Sequence, residues 1–345
     1  MADTVLFLAH VASGASLDNA ALEALELTRA RAGSGFTAGL VGDSKAATEQ
    51  LAGAGATRIV QVTGSPFEQP RYATDAAAAE AICRAVSPGI VIAAGTARWS
   101  RALPGVAARI GGRADTHATA VAFDSDQPVV TRWFYRQRMD AALRRQERPW
   151  FILIEPGAAP RWQGEPAEAV VETLEPPPTE TRTQVVGLQA PATGEQTIRP
   201  EADLLFVAGA GWTKKQPDGQ THLEDASRLI LDFIGLAAAS LGSSKSLVDL
   251  SGEGQAVLPF LTHLNQIGQT GATPRHVKGL STCCHGEEPH AVGWRFIGER
   301  RAINLDTNCG WARGKADVLY VADAFAVMSK VNELLRARKG AGASA

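Results

Sequence analysis

"TVLFLAHVASGASLDNAALEALELTRARAGSGFTAGLVG", residues 4–42, decides the fold. Its first seven residues, TVLFLAH (4–10), form a short apolar run of strand length. NAALEALELTRARA (19–32) spaces its apolar residues three and four apart, the period of a helix with one buried face. FTAGLVG (36–42) returns to a short apolar run. Predominantly apolar rather than alternating, the two runs read as strands covered on both faces, as in a parallel sheet. A strand, a helix and a second strand in under forty residues is the βαβ unit of an α/β fold.

The same alternation continues. A helix is expected near 44–53, a strand at TRIVQVTG (57–64), a helix near 73–86 and a strand at GIVIAAG (89–95). THATAVAFDSDQPVVTRWFY (116–135) changes the pattern to two strands around the polar turn DSDQP, and RPWFILIEPG (148–157) is one more strand. LEPPPTETRTQVVGLQAPATGEQTIRPEAD (174–203) is rich in Pro, Thr and Glu and has no sustained period, so it reads as a linker. A second α/β series follows. It has a strand into a glycine turn at DLLFVAGAG (203–211) and a long helix over LEDASRLILDFIGLAAASLG (223–242). Short strands follow at KSLVDLSG, VKGLSTCC, RRAINLD and VLYVADAF. A closing helix, AFAVMSKVNELLRARK (324–339), carries Lys and Arg in its last turn, where they suit the helix dipole. The expectation is two Rossmann-like domains, each a mostly parallel sheet with helices on both faces: residues 1–175, a linker over 176–202, and residues 203–345.

Bulk properties narrow the class. Of 345 residues, 45% are hydrophobic and 20% charged, ordinary for a globular chain with a sizeable core. The formal net charge of −2 gives no basis for binding nucleic acid. Four cysteines are too few for a disulfide scaffold. The longest apolar stretch, LILDFIGLAAASLG, is shorter than the ~20 residues of a membrane span and is interrupted by Asp232. The opening residues lack the basic start of a secretory leader. A soluble, cytoplasmic protein is expected.

GLSTCCHGEEPHAVG (279–293) concentrates reactive residue types, and Cys309 follows. Cys283, Cys284, His285 and Cys309 could ligate zinc or an iron–sulfur cluster. Adjacent cysteines at a strand end point to opposite faces, and the chain has no C-x-x-C pair, so half-buried thiols are the simpler reading. Glu287 and Glu288 read as acids of a helix's first turn, and Cys83, inside the helical AICRAV pattern, as core. His10, His117 and His222 read as structural.

Four pieces of the second series occur in a telling order: LGSSKSLVD (241–249), NQIGQTG (265–271), AINLD (302–306) and ADVLYVADAFAVM (316–328). Together they resemble the FAD domain of the electron transfer flavoprotein alpha subunit. AAGTARWSRALPGVAARIGGRADTHATAV in the first series is similar to the same family's N-terminal domain, which resembles adenine-nucleotide-hydrolase-like folds. The resemblance therefore spans nearly the whole chain. Laid on the family's pattern without a gap, HGEEPH (285–290) falls on its flavin loop and His290 on its flavin-ring histidine.

The resemblance implies an electron carrier rather than an enzyme that transforms a substrate. It implies a heterodimer with a beta subunit, FAD held mostly by the alpha chain, and commonly AMP in the beta subunit. Flavoprotein dehydrogenases would be the donors and a membrane quinone oxidoreductase the acceptor, with the chain itself not embedded in the membrane. The residues it implies for FAD are Ser244, Lys245, Ile267, Gly268, Gln269, Thr270, His285, Gly286, His290, Asn304 and Asp323. Ser244 and Gln269 would meet phosphate and ring, Thr270 the ring edge, and Asn304 and Asp323 the adenosine end, Asp323 through ribose hydroxyls. No catalytic or metal-ligating residue is expected.

The chain departs from the family in three places. Lys245 replaces an arginine over the flavin, which keeps the charge but loses the planar fork of donors. Gly211 or Trp212 stands where the family has another arginine, with Lys214 and Lys215 just beyond. Glu287 and Glu288 would repel a pyrophosphate unless they point away or meet a cation. Two alternatives follow from these departures. One is a non-redox nucleotide-binding or regulatory protein of this fold that has lost flavin. The other is a carrier dedicated to one dehydrogenase, such as a demethylating one.

Overall fold

The computed structural model describes residues 4–32, 35–124, 127–134, 139–187, 198–199, 202–249, 257–267, 276–282, 297–307 and 316–342. The chain divides into two compact units, Met1–Leu188 and Gln189–Ala345.

The described residues of the first unit form nine strands: β1 (Val5–His10), β2 (Phe36–Val41), β3 (Ala56–Val62), β4 (Ile90–Ala94), β5 (Arg113–Asp124), β6 (Gln127–Phe134), β7 (Met139–Leu143), β8 (Trp150–Ile154) and β9 (Val171–Thr173). They form one sheet in the order β7-β6-β5-β8-β4-β1-β2-β3-β9. All neighbours are parallel except β5 with β6 and β6 with β7. Its helices are α1 (Asn19–Ala32), α2 (Lys45–Gly53), the short α3 (Ser65–Glu68), α4 (Tyr72–Val86) and α5 (Ala97–Arg109).

The uninterrupted apolar runs have the burial they call for. Leu6 and Leu8 of β1 enter the same core as α4 and α5, while Phe7 and Ala9 enter the core containing α1 and α2. β8 alternates likewise, with Trp150, Ile152 and Ile154 on one side and Phe151 and Leu153 on the other. At roughly 1.5–3 kcal/mol for each large side chain removed from water, this two-faced burial is the principal term holding the sheet. Cys83 is buried in α4, where desolvation pushes its thiol up to about 12, so it is a core residue.

The long β5–β6–β7 meander is fastened by one carboxylate. Asp115 of β5 accepts from Arg132 of β6 at 3.0 Å, from the indole N–H of Trp150 at 2.9 Å, and from Arg145. Burial pushes this carboxyl up, but the hydrogen bonds from Arg145, Trp150 and Arg132 outweigh it and hold it below its usual range.

The described residues of the second unit form five strands: β10 (Leu204–Ala208), β11 (Ser240–Ser243), β12 (His276–Thr282), β13 (Ile297–Asn304) and β14 (Val318–Val321). All neighbours are parallel, in the order β11-β10-β12-β13-β14. α6 (Leu223–Ala237) and α8 (Ala324–Gly342) share one core with β10, through Phe206, Ile230, Phe233 and Met328. The fold expected from the sequence, two α/β units with mostly parallel sheets, is the fold observed.

Two local expectations are corrected. The long helix ends at Ala237, because Ala238 takes a left-handed conformation (φ 50°, ψ 33°) and Ser240–Ser243 then pairs with β10. KSLVDLSG is not a strand: Lys245–Asp249 is a short helix, α7, whose first turn is capped when Leu247 N–H donates to Ser244 Oγ at 3.3 Å. β7 and β9 were not anticipated. β7 is half exposed and β9 has three residues, so neither carries a period to read. Among the described residues no helix is long and apolar enough to cross a membrane.

Candidate functional site

In a parallel α/β sheet the chain must reverse its winding somewhere, and the two crossovers there leave in opposite directions. The crevice this opens beyond the strands' carboxyl ends is where such folds bind ligands. In the second unit the reversal lies between β10 and β12, since β11 was laid on one side of β10 and β12 to β14 on the other.

The strand ends here are closely tied. β10 runs into Gly209, whose N–H donates to Thr282 O at 2.9 Å, and then into a single 3₁₀ turn, Ala210–Thr213. Ser244 N–H donates to Ala208 O at 2.8 Å, which fixes the exit of β11 beside that of β10. Beyond α7 a second turn, His263–Asn265, is capped from both directions by Thr262 and Asn265. Asn265 also donates to Leu241 O at 3.2 Å, and Ile267 N–H donates to Ser243 O at 3.1 Å. The NQI half of NQIGQTG is thereby fixed against the end of β11. Ile267 is buried with Leu205, Val207 and Ile297. It approaches so closely that a Cβ on Gly242 would lie 2.8 Å from its Cγ2, so only glycine fits there.

Of the residues the resemblance implied, the described part of the chain contains five. Ser244 and Ile267 both lie at the end of β11, Ser244 N–H bonded to Ala208 O and Ile267 N–H to Ser243 O. Asn304 is the last residue of β13, buried, and donates to Asp306 O at 3.2 Å. Asp323 follows β14 and accepts from Phe325 N–H at 2.9 Å, opening α8 and leaving its second carboxylate oxygen outside that bond. Lys245 is half exposed and faces Asp249 at 3.6 Å. The described residues therefore come to one edge of one sheet from positions up to eighty apart in sequence. Gly268, Gln269, Thr270, His285, Gly286 and His290 lie outside the described residues, as do Cys283, Cys284, Glu287, Glu288 and Cys309. Among the described residues no group of three His, Cys, Asp or Glu side chains is disposed to hold a metal.

The same edge holds polar atoms that the protein leaves unbonded. Ser243 Oγ, Ser281 Oγ and Gln266 Oε1 are buried without a hydrogen-bond partner. Ser243 and Gln266 are bridged neighbours, and Ser281 is the penultimate residue of β12. A buried polar group left unbonded costs about 1–3 kcal/mol; Ser243 is in register with Ala208 and Ser281 with Val207, so the two hydroxyls lie on opposite faces of the sheet near its carboxyl end.

One group of residues escaped the sequence reading. Trp212 is wholly buried in the 3₁₀ turn and donates its indole N–H to Thr282 Oγ1 at 2.8 Å, and Thr282 Oγ1 donates to Val207 O at 3.2 Å. Its ring lies 4.5 Å from that of Phe325, and His222 approaches Phe325 edge-on at 6.2 Å. The sequence signal was only an apolar strand, a glycine turn and a tryptophan, with nothing to indicate the partner seventy residues away.

The three histidines read as structural each have a partner. His222 bonds Asp218 at 2.7 Å. His117, in a left-handed conformation (φ 57°), bonds Glu155 at 2.8 Å, and Glu155 raises its pKa. His10, at the end of β1, bonds Thr96 Oγ1 at 3.1 Å and lies 5.3 Å from Trp99; burial, with the Arg98 charge, lowers its pKa to about 4.

Comparison with known proteins bears on the first unit. Residues 5–179, a little over half of the chain, match the family model described as electron transfer flavoprotein domain. No curated protein matches the chain.

Proposed function

We propose that this chain, which belongs to the electron transfer flavoprotein family, is the alpha subunit of such a carrier and binds FAD through its second unit. The observation that carries the reading is that Ser244, Ile267, Asn304 and Asp323 all lie at the carboxyl edge of one parallel sheet, whose reversal point falls between β10 and β12. The donor set suits the group: hydroxyls and an amide for phosphate and ring, and a carboxylate for ribose hydroxyls.

FAD would supply one- and two-electron chemistry that no side chain can supply. The chain's own residues bind and orient it. Asp323, oriented by its bond to Phe325 N–H, would hold the ribose, and Asn304 would fix the turn beside it. Ser244 and, from outside the described residues, Gly268, Gln269 and Thr270 would face phosphate and ring. Lys245 would place positive charge near the ring, tempered by Asp249. His285, Gly286 and His290 would complete the loop after β12. A beta subunit would close over the flavin and carry AMP, electrons arriving from a flavoprotein dehydrogenase and leaving to a quinone oxidoreductase. The proposed division is residues 1–175 as the N-terminal domain and 203–345 as the FAD domain, in a cytoplasmic complex.

The test is co-expression with a beta-type partner, followed by acid extraction of the purified complex. Free FAD in about one equivalent per heterodimer is expected. A colourless complex that releases no flavin would overturn the reading in favour of a non-redox nucleotide-binding protein.

A further inference from the structure

We infer that Trp212 is a positioning residue of the flavin site, an inference that rests on the FAD reading above. Its indole spans the reversal point. From the turn after β10 it donates to Thr282, the last residue of β12, and its ring seats Phe325 in the first turn of α8. Phe325 N–H is in turn the donor that orients Asp323. One buried side chain therefore sets the spacing between the carboxylate assigned to the ribose and the strand end from which the 283–290 segment departs.

The hydrogen bonds separate this role from plain core filling. Thr282 has a single hydroxyl proton, and it is directed at Val207 O. Its lone pairs are thereby left to receive the indole N–H, so the relay runs one way, from Trp212 to Thr282 to the backbone of β10. Such a relay fixes the rotation of both side chains, whereas an apolar ring of similar size would fill the space without fixing either. Gly209 N–H donates to Thr282 O alongside it, so strand end and turn are held as one rigid piece. Positions that must hold a ligand group to a fraction of an ångström need this kind of support.

The experiment uses the complex with its beta-type partner and three variants: Trp212→Phe, Thr282→Val and the double substitution. Three quantities are read: FAD affinity by recovery of flavin fluorescence, the visible circular dichroism of the bound flavin, and the thermal midpoint of the FAD-free complex. Trp212→Phe removes the indole's bond, and Thr282→Val removes that bond together with the one to Val207 O, so each single variant should weaken FAD binding about tenfold or more, with an altered visible dichroism. The double variant should lose no more than the weaker-binding single, because both remove the same bond. Thr282→Val is nearly isosteric and keeps the test alive if Trp212→Phe does not fold. Wild-type affinity and dichroism in Thr282→Val, or a lowered FAD-free midpoint with affinity unchanged, would reduce Trp212 to a core residue and overturn the inference while leaving the FAD reading intact. A wild-type complex without flavin would remove both.

Discussion

Acid should destabilise the first unit through one residue, His10. The imidazole ends β1, bonds Thr96 Oγ1 and faces the edge of Trp99. Burial is the main cause of its lowered pKa, the Arg98 charge adds to it, and Asp18 opposes it, for a value of about 4 against 6.5 in an open chain. Between those two values the unfolded chain binds a proton that the folded chain does not, so stability rises with pH across that window. The contribution is complete above about pH 6.5, shrinks as pH falls towards 4, and changes no further below that. The whole gap is worth ~3.4 kcal/mol, and the part falling between about pH 7 and pH 5 is about 2 kcal/mol.

His117 acts in the opposite sense and in another window. Its pKa is raised by Glu155, so its stabilisation is complete below the unfolded value and fades as pH rises through the folded one. The assay is urea denaturation across this range for wild type and His10→Gln, which keeps a polar side chain of similar reach and cannot titrate. Amide exchange in β1 and β4 reports the first unit separately from the second. The variant should lose about 2 kcal/mol less than wild type between about pH 7 and pH 5, which cancels the general carboxylate contribution common to both. His10 titrating near 6.5 by NMR in the folded chain, or an equal slope in the variant, would refute the reasoning.

Asp115→Ala should destabilise the first unit by about 3 kcal/mol, because it leaves Arg132, Arg145 and the Trp150 N–H facing a vacated site, whereas Arg145→Ala, with its side chain a third exposed, should cost less; denaturation with exchange in β6 and β8 ranks them. In the flavin-loaded complex Lys245→Ala should lower the midpoint potential and Asp249→Ala should raise it, since the two side chains oppose each other across 3.6 Å. Potentiometric titration reads both signs, and shifts of the same sign would remove Lys245 from the flavin's surroundings.

The sequence by itself determined the class of fold. The runs VLFLA, GIVIAAG and PWFILI are apolar at every position, and strands with no polar face read as inner strands of a covered sheet. The three- and four-residue spacing of NAALEALELTRARA needs a helix for the same reason. Both are local patterns, and burial enforces them wherever the chain goes. The motif pieces around Ser244, Ile267, Asn304 and Asp323 were weak signals one by one and were legible only through their order along the chain, as a family resemblance. Tertiary structure decided what depends on strand order, which no local pattern encodes. It decided that these pieces share one sheet edge, that Trp212 meets Thr282 and Phe325, and that His10 is neutral because it is buried where α5 delivers Trp99 and Arg98 beside it. Each of these is a contact between residues tens of positions apart. Its energy exists only after the sheet has been assembled, so a window sliding along the chain has nothing to detect.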